Sequence, residues 1–191
     1  MILPIVAYGH PTLRKVARRI EPGHPGLDQL VADMFETMYK SQGVGLAAPQ
    51  VNQGIRLFII DATPYAEEKP ELNGFKGIFV NPQIIEETGE DLVFNEGCLS
   101  IPDIREDVTR KSKIRIQYQD LNFNDFDEYY EGIPARIIQH EYDHLEAKLF
   151  VDRISPLRKM LLKRRLNDIT TGNIKVDYKM IFPVQKKKVR V

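Results

Sequence analysis

The sequence predicts an α+β protein, with antiparallel β-sheets packed around a central helix that carries His140 and His144, and flanked by an N-terminal and a C-terminal helix. Three observations predict it. Lys113-Ile-Arg-Ile-Gln-Tyr118 alternates polar and apolar residues, the pattern of a half-buried strand, and a turn-rich stretch leads from it into Phe126 to Tyr130. Leu27, Leu30, Val31, Met34, Phe35 and Met38 recur at helical spacing. Late in the chain, His140-Glu141-Tyr142-Asp143-His144 lies within another helical stripe.

Taken in order, the first helix spans about Leu27 to Ser41 and stops near Gly43. Ile55 to Asp61 reads as a mostly buried strand, and Gly77 to Asn81 as another, ended by Pro82. Between them Pro64 to Gly74 is polar and carries two prolines, which makes it a surface loop. Asp120 to Asp125 supplies the turn after the alternating strand. Pro134 suits the first turn of a helix, where a missing N–H costs nothing, and that helix should run to about Lys148. Its buried stripe is Ile138, Tyr142, Leu145 and Leu149. Ser155 can cap a last helix, with Pro156 inside it, which ends before Gly172. Leu157, Leu161, Leu162, Leu166 and Ile169 form its expected apolar set, and its remaining positions are strongly basic. The whole of 1–191 reads as one catalytic domain, with 155–172 a basic C-terminal helix and 183–191 a flexible basic tail.

His140 and His144 are four residues apart, so on a helix they sit one above the other, with Cβ atoms roughly 5–6 Å apart. They can share one metal ion, with Glu141 beside them to handle protons. The His-Glu-x-x-His proteases take a third ligand from a downstream histidine or glutamate. Here Phe150 stands where that histidine would fall, and no histidine or glutamate follows Glu146. The third ligand must come from elsewhere, and the sole cysteine, Cys98, is the candidate. Closed structural zinc sites usually fill all four positions with Cys or His. Three such residues leave a position for water, as a hydrolytic site requires.

Composition narrows the class. The chain has 191 residues, with 27 basic and 27 acidic side chains and no net charge, so no global field points to specific DNA binding or to a membrane. One cysteine cannot form an internal disulfide, which fits a reducing compartment. No apolar run approaches the ~20 residues that span a bilayer. The opening residues lack the basic region of a signal peptide, so the expected location is cytoplasmic.

Three segments stand out together. Gly43-Val-Gly-Leu-Ala-Ala-Pro-Gln50 offers small residues that let backbone approach a ligand, and Gln50 adds an amide donor. Glu96-Gly-Cys-Leu-Ser100 surrounds the cysteine, and Gln139 to Phe150 carries the histidines. With these three motifs in this order the sequence resembles the peptide deformylase family, over about residues 2 to 152 and including Tyr8-Gly-His-Pro-Thr-Leu-Arg14. It departs at Ala147, where the family usually has glycine. The loop at 64–74 and the last 35 residues match no motif of the family.

The resemblance implies a metallohydrolase that removes the formyl group from the N-terminal formylmethionine of newly made proteins, releasing formate. It implies Cys98, His140 and His144 as metal ligands, Glu141 as the proton carrier, and the Gln50 side chain and Leu99 backbone N–H as oxyanion donors. Gly43, Val44, Gly45 and Leu99 become substrate-binding positions, and Val44, Leu99, Ile137 and Ile138 candidates for the wall of an apolar methionine pocket. Glu96 and Asp143 are expected to support the site without coordinating metal. The implied native ion is iron(II), with zinc, nickel or cobalt able to take its place. Formylmethionyl nascent peptides are the expected partners, and the basic end from Ser155 onward is a candidate ribosome contact. Two other readings are a His-Glu-x-x-His protease, which lacks its third ligand here, and a metal-binding protein without catalysis, which would have no use for Glu141.

Overall fold

A computed structural model gives the structure and describes residues 1–183. In chain order the elements are β1 (Ile5–Val6), α1 (Leu27–Lys40), β2 (Gly45–Ala47), β3 (Leu57–Asp61), β4 (Lys76–Cys98), β5 (Ile101–Gln119), β6 (Asp125–Glu131), α2 (Gly132–Leu145), α3 (Pro156–Thr170) and β7 (Met180–Ile181). Strands β2 to β6 form an antiparallel sheet in sequence order, and β1 pairs with β7 in parallel.

β3 shows how the layers assemble. All of its residues are buried, yet alternate side chains point to opposite faces. Leu57 and Ile59 join Val31, Met34 and Met38 of α1 in one core cluster. Phe58 and Ile60 join Ala135, Ile138 and Leu145 of α2 in another. The two helices therefore cover the two faces of this strand. A third cluster packs Leu162, Leu166 and Ile169 of α3 against Ile101, Ile104, Val108 and Phe150.

The long hairpin corrects the predicted strand lengths. β4 runs 23 residues and extends the strand expected at 77–81 as far as Cys98, while β5 begins at Ile101, not at Lys113. A straight strand of that length would reach about 75 Å at ~3.3 Å per residue. Register shifts after Val80, Ile84, Thr88 and Gly97 break the run and increase its twist. Residues 85–95 of β4 are exposed and hold their place through cross-strand pairing with β5. The polar stretch of β4, Glu86 to Asp91, and the exposed run Leu92-Val-Phe94 after it show no apolar alternation to reveal a strand. The hairpin closes through Leu99 and Ser100, so Cys98 sits at the last position of β4.

α1 follows its predicted span to within one residue. α2 stops at Leu145 rather than near Lys148. Ala147 adopts the left-handed conformation, with φ 58°, and the Lys148 N–H donates back to the Asp143 carbonyl at 2.9 Å. This is the helix ending that usually takes glycine. α3 is capped by Ser155 as expected, but Leu157 and Leu161 are each 62% exposed. The buried face is Leu162, Leu166 and Ile169 at four- and three-residue steps, and Leu157 and Leu161 fall on a second stripe. The loop at 64–74 contains two short 3-10 turns, Thr63–Tyr65 and Pro70–Leu72, and its Leu72 is buried. Apart from Pro183, the tail expected at 183–191 lies outside the described residues. Among the described residues, no helix is long and apolar enough to cross a membrane.

Candidate metal centre

The ligand atoms of Cys98, His140 and His144 all lie within 4.8 Å of one another, with Cys98 Sγ 3.3 Å from His144 Nε2. Two elements make this meeting. The close of the β4–β5 hairpin presents the cysteine, and successive turns of α2 present the histidines. α2 can do so because its other face is anchored in the core by Ala135, Ile138 and Leu145. His10 and His24 take no part: His10 Nδ1 accepts the Thr12 N–H, and His24 is exposed.

An ionic frame, largely buried, stands behind the Cys98, His140 and His144 side chains. His140 Nδ1 lies 2.9 Å from Glu96 Oε2. A proton on Nδ1 directed at that carboxylate leaves the Nε2 lone pair free for a metal. Arg110 grips Glu96 with two bonds of 2.7 and 2.9 Å and reaches Asp143 at 2.6 Å. Arg136 donates to Glu96 at 3.0 Å and to the carbonyls of Val108 and Leu92, and Arg153 donates to Asp143 at 2.6 Å. Burial alone would raise the Glu96 carboxyl, but Arg110 and His140 outweigh it and hold it well below the usual range. Glu96 thus meets His140 directly and Asp143 meets Arg110 and Arg153, and Arg110, Arg136 and Arg153 are residues beside the site that the sequence reading missed.

The electrostatics suit a cation. Burial favours the neutral Cys98 thiol, yet the facing His144 and His140 bring it down to about 5. Burial also works against a charged His140, and the Cys98 and Glu96 anions overcome it and raise its pKa. The pocket therefore stabilises a thiolate and calls for positive charge beside it. A soft thiolate with two imidazoles is a donor set that iron, zinc, nickel and cobalt all accept. The residues present fit a divalent metal.

Glu141 lies in the same pocket, 4% exposed, and its Oε2 has no hydrogen-bond partner among the described residues. Burial pushes its carboxyl up to about 7, against the pull of both histidines. It packs so tightly on β2 that a Cβ added to Gly45 would fall 2.5 Å from Glu141 Oε1. Glycine is required there by the close approach. Gln50 is also buried. Its Oε1 accepts the Ala47 N–H at 2.8 Å, which turns Nε2 toward Cys98 Sγ and Ser100 Oγ, each at 3.4 Å. A Cβ on Gly43 would fall 2.9 Å from Leu99 Cδ1, so the Gly43–Gly45 segment borders both the hairpin turn and Glu141. The structure brings together all three sequence segments. Val44, Leu99 and Ile137 keep partly open side chains, whereas Ile138 is fully buried in the core and unavailable to a pocket wall. Tyr178, which the sequence reading passed over, donates its hydroxyl to the Leu99 carbonyl at 2.8 Å.

A cysteine and two histidines converging beside a buried, unpartnered glutamate define the class of metal-dependent hydrolases. A family model for polypeptide deformylase matches residues 2–160. The peptide deformylase of Christiangramia forsetii is 52% identical, covering 98% of this chain and 99% of the relative. A crystal structure of a peptide deformylase from Legionella pneumophila superimposes with a TM-score of 0.77 at 38% identity, covering 88% of this chain and 95% of the other. A class I type b peptide deformylase from Acinetobacter baumannii, solved bound to Met-Ala-Ser, gives 0.73 at 35% identity, covering 81% and 99%. The chain belongs to the polypeptide deformylase family. It is a metalloenzyme that removes N-formyl groups from nascent peptides.

Proposed function

We propose that Cys98, His140 and His144 hold one divalent cation, native iron(II), and that Glu141 carries protons through both halves of amide hydrolysis on formylmethionyl peptides. The observation that supports this best is the buried, unpartnered Oε2 of Glu141 beside a converging Cys/His pair of elements. When bound, the cation supplies Lewis acidity and makes water acidic enough to ionise near neutrality. Glu141 accepts the proton of the attacking water as its oxygen bonds to the formyl carbon. Charge develops on the formyl oxygen, and the Gln50 Nε2 and Leu99 N–H donate to it. Because Ala47 already holds the Gln50 amide in orientation, that donor needs no rearrangement during reaction. Glu141 then passes its proton to the amine nitrogen as the C–N bond breaks, and formate leaves.

Gly43, Val44, Gly45 and Leu99 are proposed to bind the peptide, and Val44, Leu99 and Ile137 to face the methionine side chain. The Met-Ala-Ser bound to the Acinetobacter relative supports a methionine-led substrate. Lys163, Arg164 and Arg165 are exposed on α3, which supports a salt-dependent contact with ribosomal RNA phosphates. We read 1–191 as one catalytic domain acting in the cytoplasm, where such substrates are made. The test is formate release from a formyl-Met peptide by protein purified without oxygen, with metal analysis of the same sample. Near one iron per chain and formate release are expected. Cleavage of internal peptide bonds without formate would overturn the reading, and stoichiometric zinc with unchanged activity in air would overturn the choice of iron.

A further inference from the structure

Beyond the ligands and proton carrier, the hairpin turn at Leu99 and Ser100 is held from outside by a part of the chain that the family match does not reach. That match ends at residue 160, and the contact comes from residue 178. The Tyr178 hydroxyl donates to the Leu99 carbonyl at 2.8 Å, and the Tyr8 N–H donates to the Ser100 carbonyl at 2.8 Å. Both donors belong to one small structure. β1 and β7 pair Ile5 with Met180 and Val6 with Ile181, and the Ile5 and Ala7 N–H groups donate to Lys179 and Ile181 at 2.8 and 2.9 Å. Tyr8 lies two residues beyond one strand and Tyr178 two residues before the other. Thr170, at the end of α3, closes the assembly with a hydroxyl bond to the Tyr8 carbonyl at 3.2 Å.

We propose that Tyr178 is a positioning residue: through the Leu99 carbonyl it fixes the turn whose Leu99 N–H serves the developing oxyanion. This rests on the donor role given to Leu99 above. The Leu99 N–H lies in the Cys98–Leu99 peptide, held on one side by the end of β4, and on the other side its direction follows the Leu99–Ser100 peptide through the Leu99 torsions. Tyr178 bonds to that peptide's oxygen, and Tyr8 bonds to the next one. On the inner side Leu99 abuts Gly43, and Gln50 Nε2 reaches Ser100 Oγ. The turn is thus gripped on both sides, and the donor it presents needs no ordering during reaction. The Tyr178 ring also packs at the edge of the cluster that holds α1 and β3, which fixes the hydroxyl. Burial pushes its pKa above the ordinary tyrosine value, so the group is an O–H donor at any working pH.

The experiment compares Tyr178→Phe and Tyr178→Leu with the parent holoenzyme, by steady-state kinetics on a formyl-Met peptide, metal content, and hydrogen exchange at the Leu99 amide. Tyr178→Phe keeps the ring and removes only the hydroxyl. Its kcat should fall roughly 5–20-fold, less than the ~10²–10³ that follows outright loss of an oxyanion donor. KM should stay within about twofold and metal content should be unchanged, because the interaction acts in the transition state. Leu99 amide exchange should speed up. Tyr178→Leu should show the same kcat loss and a lower melting temperature in addition. Parent-like kcat and Leu99 exchange in Tyr178→Phe would overturn the proposal, leaving Tyr178 a packing residue. Faster Leu99 exchange with parent-like kcat would instead overturn the donor role of Leu99, the reading beneath the proposal.

Discussion

Two groups of arginines in this molecule have opposite fates. Arg158, Arg164 and Arg165 sit on α3 in a run of basic residues that stands out in the sequence. Arg110, Arg136 and Arg153 are scattered through unremarkable stretches. Yet the Arg110 and Arg136 side chains are 2% and 6% exposed and share Glu96, while Arg164 and Arg165 are exposed, and Arg158, 57% exposed, reaches in to Glu106, itself 7% exposed. An ion pair at the surface exchanges water for a partner at little gain. A buried pair has given up its water, so removing one member strands the other in a medium that cannot solvate it. Local density of charge in a sequence therefore says little about energetic weight, which is set by burial and partners.

Variants in both groups test that difference, and the largest effect belongs to Arg110. Arg110→Met removes the donor shared by Glu96 and Asp143 and should cost about 3–5 kcal/mol of stability, as loss of one partner of a buried pair does. Denaturant unfolding of the metal-free protein measures it, and a loss below about 1 kcal/mol would erase the distinction between the groups. Glu96→Gln keeps the shape but withdraws the carboxylate from His140 Nδ1. Metal affinity should fall roughly 10–100-fold, the usual cost of removing a ligand's outer partner. Competition with a chelator would show it, and unchanged affinity would mean that His140 is oriented by packing alone. Ala147→Gly changes the end of the same helix without touching charge. It should stabilise the fold by about 0.5–1 kcal/mol, the left-handed cost of alanine less the entropy cost of glycine, read as a rise in melting temperature. Arg164→Ala, on the exposed side of α3, should change stability by less than about 1 kcal/mol, and any effect as large as that of Arg110→Met would break the comparison from the other side.

Legibility followed the same physics. The convergence of Cys98, His140 and His144 was readable because four-residue spacing on a helix is a local property, and a single cysteine left one candidate for the third position. Ala147 was readable as an anomaly, and its φ of 58° gives the physical reason glycine is usual there. The length of the β4–β5 hairpin was not readable in β4, whose exposed residues carry no apolar pattern. In β5 a signal existed. Ile104, Glu106, Val108 and Arg110 alternate on one buried face. Following that alternation back from Lys113 would have placed Arg110 inside, beside Val108. Leu157 and Leu161 were misread because a list of apolar positions on a helix does not separate two stripes. Tyr178 left no local trace, since its contact with Leu99 spans 79 residues and depends on the β1–β7 pairing.

The most direct test of the central claim, that Glu141 moves protons while Cys98, His140 and His144 bind the metal, is Glu141→Ala assayed for metal content and formate release in one preparation. The account predicts parent-level metal and a rate lower by roughly 10²–10⁴, the contribution of a general acid–base group. Loss of metal in parallel with activity would contradict it and make Glu141 a ligand.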